Sequence, residues 1–223
     1  MSKSPRSSAS SPAHSNNGYV PRVRGEAVAI NVGKSDPFTV HKSVLLQSPY
    51  FQNALKPEWT SAREGKPIDL SDQDPSTFEE YVQWLYSHHI DTSTAESVQL
   101  AKMYALGETL MHVEFQDAVI EALMTICEER DKYPTGEQIN IIYEGTMPNS
   151  PARKLLVDFF CWEGGEKWIE GEDFANTKPT EFVNDLMYQL LKNRRTPKGE
   201  SPWTKDPKAY FIGPRKTSSE AKS

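Results

Sequence analysis

Apolar positions alternate from Ala27 to Val32, with Val28, Ile30 and Val32 on one face, which is the period of a strand. The stretch GKSDP at 33–37 is turn chemistry, and Phe38 to Val40 resumes the extended pattern, so the two segments predict a hairpin. A short helix is predicted over Ser43 to Gln47. Ser48 followed by Pro49 has the form of an N-cap with proline at the first helical position, opening a helix with Tyr50, Phe51, Ala54 and Leu55 on one face. Ile68 and Leu70 mark a third short strand.

From there the period changes to that of helices. Asp74 and Pro75 make another cap and N1 pair, ahead of Phe78, Tyr81, Val82, Leu85 and Tyr86 at steps of three and four. Ser93 and Glu96 have capping-box spacing before Leu100, Met103 and Tyr104. Phe115, Ala118, Val119, Ala122, Leu123, Ile126 and Cys127 form one apolar stripe. Thr135 and Gln138 repeat the capping-box spacing ahead of Ile139, Ile142 and Tyr143. Ser150 and Pro151 open a segment with Leu155, Leu156, Phe159, Phe160 and Trp162. A last stripe holds Phe182, Val183, Leu186, Met187, Leu190 and Leu191. Three strands followed by a run of helices predict an α+β fold rather than alternating βαβ units.

Composition separates the ends from the middle. Residues 1–25 hold seven serines, three prolines and no carboxylate, and prolines recur at 197, 202, 207 and 214, so both ends are expected to lack a packed core. The two tails, 1–25 and 192–223, carry +4 and +6 against −6 for the whole chain, which leaves −16 on residues 26–191. Such a body is expected to repel nucleic acid, whose binding is dominated by basic contacts to phosphate. The tails are expected to make at most weak contacts with polyanions or an acidic partner. No apolar run approaches the ~18 residues needed to cross a bilayer, and no leader-like segment follows the start. Cys127 and Cys161, both in apolar helical patterns and without a CxxC neighbour, are expected to be reduced thiols. An intracellular protein of cytoplasm or nucleus, without a membrane partner, is the expectation.

The candidate chemistry is sparse. His41 has only Lys42 and apolar neighbours nearby, which suits a structural histidine tying strand to helix better than a nucleophile's base or a metal ligand. His88 and His89 are adjacent in a turn and would need a third ligand such as Asp91. Asp69, Asp72 and Asp74 invite comparison with a calcium loop, but the positions that require glycine and glutamate hold Asp74 and Glu80, with Pro75 between. None of GxSxG, HExxH, GxxxxGK[ST] and GxGxxG occurs. No enzyme, cofactor or metal is expected. Trp203, Tyr210 and Phe211 are odd in a polar tail and suit either a docking peptide or a fold-back onto the helices. Ser4, Ser11, Thr196 and Ser201 precede prolines as phosphorylation candidates, and KNRRTPK at 192–198 is a weak import-signal candidate.

Val32-Gly33, then Phe38, Val40, His41, Lys42, Leu45, Leu46, Ser48, Pro49, Tyr50 and Phe51, then Asp74, Pro75, Phe78, Tyr81, Trp84, Leu85 and Tyr86 follow a known order and spacing. The pattern resembles the BTB/POZ domain over about residues 27–130, most closely in the short single-BTB proteins of filamentous fungi. The resemblance implies a short sheet with a helical cluster, followed by a helical extension. It divides the chain into a basic tail (1–25), the domain (26–131), the extension (132–192) and a second basic tail (193–223). It further implies a protein-interaction module that forms homo- or hetero-oligomers, with Val44, Leu45, Tyr50, Phe51 and Ala54 at the contact surface. Phe38, His41, Lys42, Ser48, Asp74, Trp84 and Tyr86 are then motif residues that hold the fold. Two further family roles are implied as alternatives: a substrate adaptor of a cullin-type ubiquitin ligase, and a nuclear regulator. Two positions depart from the pattern. Ala27 stands where an aspartate is usual, with Glu26 one residue earlier, so His41 needs another partner. After Tyr86 the chain reads SHHIDTST, without the hydrophobic-x-Glu element that adaptors use.

Overall fold

Strand β1 (Ala27–Val32) lies between β2 (Phe38–His41) and β3 (Ile68–Leu70) in a three-stranded sheet. The computed structural model describes residues 25–170, 174–195 and 197–210. β2 is antiparallel to β1, with Ile30 opposite Phe38 and Ala27 opposite His41. β3 is parallel, with Ile30 opposite Ile68 and Val32 opposite Leu70. The two-residue period sends Ile30, Val32, Val40, Ile68 and Leu70 to one buried face. Gly33 turns the chain at φ +56°, and a Cβ there would lie 2.8 Å from the Pro75 ring, so both the turn and the close approach require glycine.

β2 passes directly into α1 (Lys42–Leu45), followed by α2 (Pro49–Ala54) and α3 (Pro57–Ala62). α1 is shorter than the predicted helix. α3 carries no buried residue, so it has no core stripe for a periodicity argument to find; Pro57 at its start was the available sign. α4 (Pro75–Ser87) begins as predicted: the Asp74 carboxylate accepts from the Thr77 amide at 3.2 Å and from the Ser76 and Thr77 hydroxyls at 2.7 Å each. His88, at φ 51°, ends it. α5 (Ser97–Thr109) and α6 (Val113–Arg130) pack against each other, and Phe115 of α6 meets Tyr81 and Trp84 of α4.

Three predicted caps are redirected. The Ser48 hydroxyl stands at the head of α2 but donates to the Leu110 carbonyl at 3.1 Å, because it is buried beneath that loop. Ser93 does not cap α5. Asp91, two residues upstream, draws the Ser93 amide (2.9 Å) and hydroxyl (2.6 Å) into a local turn, and the helix begins after Glu96. Ser150 pairs its hydroxyl with Tyr104 at 3.2 Å instead of capping the helix behind it.

The chain continues as α7 (Glu137–Gly145), α8 (Pro151–Trp162), α9 (Phe174–Thr177) and α10 (Thr180–Asn193). Gly136, not Thr135, is the N-cap position of α7; Gln138 reaches back to the Gly136 amide at 3.2 Å and donates to Ser97 at 2.7 Å. α7 lies against α5 so closely that a Cβ on Gly145 would sit 2.5 Å from that of Ala105. The α8 and α10 stripes are only half used. Leu156, Phe160, Phe182 and Leu186 are buried, while Trp162, Met187, Leu190 and Leu191 stand in the open. Residues 197–210, expected to lack regular structure, hold two short turns: α11 (Pro202–Lys205) and a 3-10 turn over Pro207–Tyr210. Most of the expected N-terminal tail, together with Ser4, Ser11, Thr196 and Phe211, lies outside the described residues. Among the described residues no helix is long and apolar enough to cross a membrane. Both cysteines are free thiols; Cys127 is buried and Cys161 half-buried, and burial pushes the Cys127 thiol up to about 11.

Candidate protein-interaction surface

The five residues expected at a contact surface separate into two groups. Val44, Leu45 and Phe51 are fully enclosed in the chain's own core, with no side-chain surface left exposed. A one-turn α1 wedged between β2 and α4 has no outward face for Val44 or Leu45, and Phe51 stacks edge-on against Phe78 at 6.5 Å. Tyr50 and Ala54 remain half-exposed on the outer side of α2.

Around them lies a shallow cleft of about 550 Å³ between α2, α3, β3 and the loop after α5. Its rim includes two residues that the periodicity argument did not single out, Trp59 (62% exposed) and Met111 (50% exposed). A tryptophan inside the polar run EWTSAREGK was the sign that could have found the first. Met111 adopts φ 52°, which turns the chain sharply between α5 and α6. The Ser48 bond to Leu110 holds that turn against the head of α2, and Arg63 donates to the Ala54 carbonyl, closing the far end. Burial, with Asp72 and Asp69 nearby, raises the Tyr50 hydroxyl above its ordinary value, while Arg63 opposes the shift. The cleft is thus an apolar recess with a phenol and a guanidinium at its edge.

The motif residues make the following contacts. His41 finds its partner in Tyr86: the Tyr86 hydroxyl lies 2.6 Å from His41 Nδ1 and accepts from the His41 amide at 3.2 Å. Lys42 reaches Glu26 at 2.8 Å across the sheet end, because the antiparallel register that pairs Ala27 with His41 continues to the next pair. Phe38 packs edge-on against Phe78 at 5.1 Å. Trp84 is buried against His112 and Phe115, its indole N–H without a partner. His112 escaped the sequence argument altogether. It is buried, bonded through Nδ1 to the Tyr81 hydroxyl at 2.9 Å, and burial pushes its imidazole below the ordinary histidine value. Among the described residues no three His, Cys, Asp or Glu side chains converge as a metal site.

This mixed three-stranded sheet, capped by paired short helices and the α4–α6 cluster, is matched by one family model. The model is that of the BTB/POZ domain, over residues 27–125. Residues 27–125 are a BTB/POZ domain. Comparison with curated proteins found no match to the chain. The family is generally one of protein–protein interaction modules.

The BTB/POZ domain is followed by helices that pack on it through α7 and α5 and are tied to one another by a buried cation. Arg153 of α8 donates from Nε to Thr146 at 3.0 Å, to the carbonyls of Tyr143 and Thr146, and to the Glu181 carboxylate of α10. Its guanidinium also lies 4.5 Å over the Tyr143 ring, whose hydroxyl donates to Asp185 at 2.9 Å. One side chain therefore ties α7, α8 and α10 together.

Proposed function

We propose that this chain is a non-enzymatic interaction protein whose BTB/POZ domain mediates homo- or hetero-oligomerisation through the α2–α3 cleft. The observation that carries the reading is the grouping of Tyr50, Ala54, Trp59 and Met111 on one open recess while Val44, Leu45 and Phe51 fill the core. Exposed aromatic and methionine side chains around an apolar recess are what a partner's buried hot spot requires. The test is sedimentation of the intact chain at micromolar concentration, with and without Trp59→Ser. Trp59 is too exposed for its loss to unfold the domain, so weaker association with unchanged melting supports the reading. Association unaltered by both Trp59→Ser and Tyr50→Ala overturns it.

Adaptor function with a cullin is a second reading, favoured by the packing of α7 directly on α5, which extends the domain with a helical surface. It lacks the hydrophobic-x-Glu element after Tyr86. Retention of a purified cullin N-terminal domain by the immobilised chain would support it. The likeness to short single-BTB fungal proteins rests on the motif and belongs with this proposal.

A further inference from the structure

Among the described residues nothing packs on the outer face of α6. Val113, Glu114, Asp117, Glu121, Met124 and Glu128 are all exposed. At about 100° per residue they share one stripe about 100° wide. Val113 (60% exposed) and Met124 (38% exposed) run along one edge of the stripe and the four carboxylates along the other. Asp117, Glu121 and Glu128 have no ion-pair partner among the described residues. The face is therefore an apolar rail beside a row of negative charge, in which Glu114 alone faces a histidine, His112 at 3.7 Å.

The end of the chain is its counterpart. Beyond Leu186, α10 projects Met187, Leu190 and Leu191 into the open at 55%, 47% and 57% exposure. Trp203 and Tyr210 follow at 66% and 62%. Residues 187–210 carry six basic and two acidic groups, a net +4. Among the described residues nothing covers the apolar groups of this arm, and its charge is opposite to the −16 of residues 26–191.

We propose that the arm over residues 187–210 of one copy docks on the α6 outer face of a second copy. Leu190, Leu191 and Trp203 lie along the apolar edge while Lys192, Arg194 and Arg195 meet the carboxylates. The pairing joins opposite charges next to apolar surface, so it gains on both counts. A lipid bilayer is the poorer occupant, because an anionic surface that draws the arm repels the acidic body. The contact is head-to-tail, and such contacts propagate unless they close into a ring, so it yields assemblies beyond a dimer as concentration rises. It uses none of the α2–α3 cleft and does not rest on that reading.

The test is analytical ultracentrifugation of the full chain at low and high salt. We compare Arg194→Glu with Arg195→Glu on the arm, Asp117→Lys with Glu121→Lys on α6, and the four changes together. All four positions are exposed. The expected result is association that weakens with salt and falls at least tenfold in either reversed pair. It returns in the fourfold variant, and the salt-sensitive step of association is unaffected by Trp59→Ser, whatever that change does to a cleft-mediated step. Loss through Trp59→Ser alone, with both reversals silent, assigns association to the cleft and overturns the arm contact. A photo-crosslinker replacing Trp203, in a mixture of isotope-labelled and unlabelled chains, is expected to yield mixed-label links to residues 113–130. Links confined to single-label species overturn the second copy as occupant. Binding of the arm to phosphatidylserine vesicles, with self-association unchanged by the arm reversal, overturns it in favour of a membrane.

Discussion

Tyr50 and Phe51 are adjacent in sequence, yet Phe51→Ala empties a fully enclosed site between the sheet and α4, whereas Tyr50→Ala trims a surface group. Removing a buried phenylalanine costs about 3–5 kcal/mol, a large part of a domain's stability. Chemical denaturation should show a loss of that size for Phe51→Ala and a much smaller one for Tyr50→Ala. Asp74 supplies a second residue-scale outcome. Hydrogen bonds from Ser76 and Thr77 hold its carboxyl below the usual range, so its capping contribution is present above the unfolded carboxylate value and lost as pH falls through the folded one. Asp74→Ala is expected to cost about 1 kcal/mol at neutral pH. The gap from wild type should close below about pH 4, read by melting temperature against pH. His112 works in the same direction by a different cause. Burial lowers its imidazole, Glu114 partly opposes this and His88 adds to it. The neutral ring is compatible with the fold, and stability is lost as pH falls from the ordinary value of about 6.5 through the folded value. A His112→Gln variant should melt with less change between neutral and mildly acidic pH than the wild type. His112 was not legible in the sequence because a lone histidine between two helices carries no pattern; its partner Tyr81 is thirty-one positions away.

At the level of elements, the strands and long helices were legible because each offers a full period of apolar residues to one core. The caps were less so. A serine, threonine or glutamine at cap spacing marks where a helix can begin, but its hydroxyl or amide goes to whichever partner tertiary packing brings near, as Leu110 does for Ser48 and Tyr104 for Ser150. Asp74 kept its predicted role because its acceptors are aimed at its own helix. The attachment of α10 depends on a residue whose polar label hides its place: Arg153 is 6% exposed. Replacing it by methionine leaves the carbonyls of Tyr143 and Thr146 without that donor. A cost of about 2 kcal/mol follows from stranding buried acceptors. Hydrogen exchange should accelerate in α10 before it does in α5 or α6, since Glu181 and the Tyr143 ring lose their shared anchor.

The whole molecule combines an acidic folded body with basic ends, and the charge separation was countable from residue types alone. What the count did not reveal is where the charge meets apolar surface. In the fold, carboxylates line one open helix face beside Val113 and Met124, and cations follow the overhanging end of α10. Association of the intact chain should therefore respond to salt, whereas the interior-dominated melting of the monomer should respond little, because exposed charges are screened and buried packing is not.

Order, spacing and the motif from Phe38 to Tyr86 determined the α+β architecture and the BTB/POZ assignment, because period and turn chemistry are local properties that a chain carries in its own residues. The division of Val44, Leu45 and Phe51 from Tyr50 and Ala54, the partner of His41, the recess rimmed by Trp59 and Met111, and the half-used stripe of α10 were decided only in three dimensions. Each depends on which neighbours the fold brings to a residue: a helix of one or two turns offers too few residues for its period to say which face meets the core, and a longer stripe such as that of α10 does not say how much of it is covered.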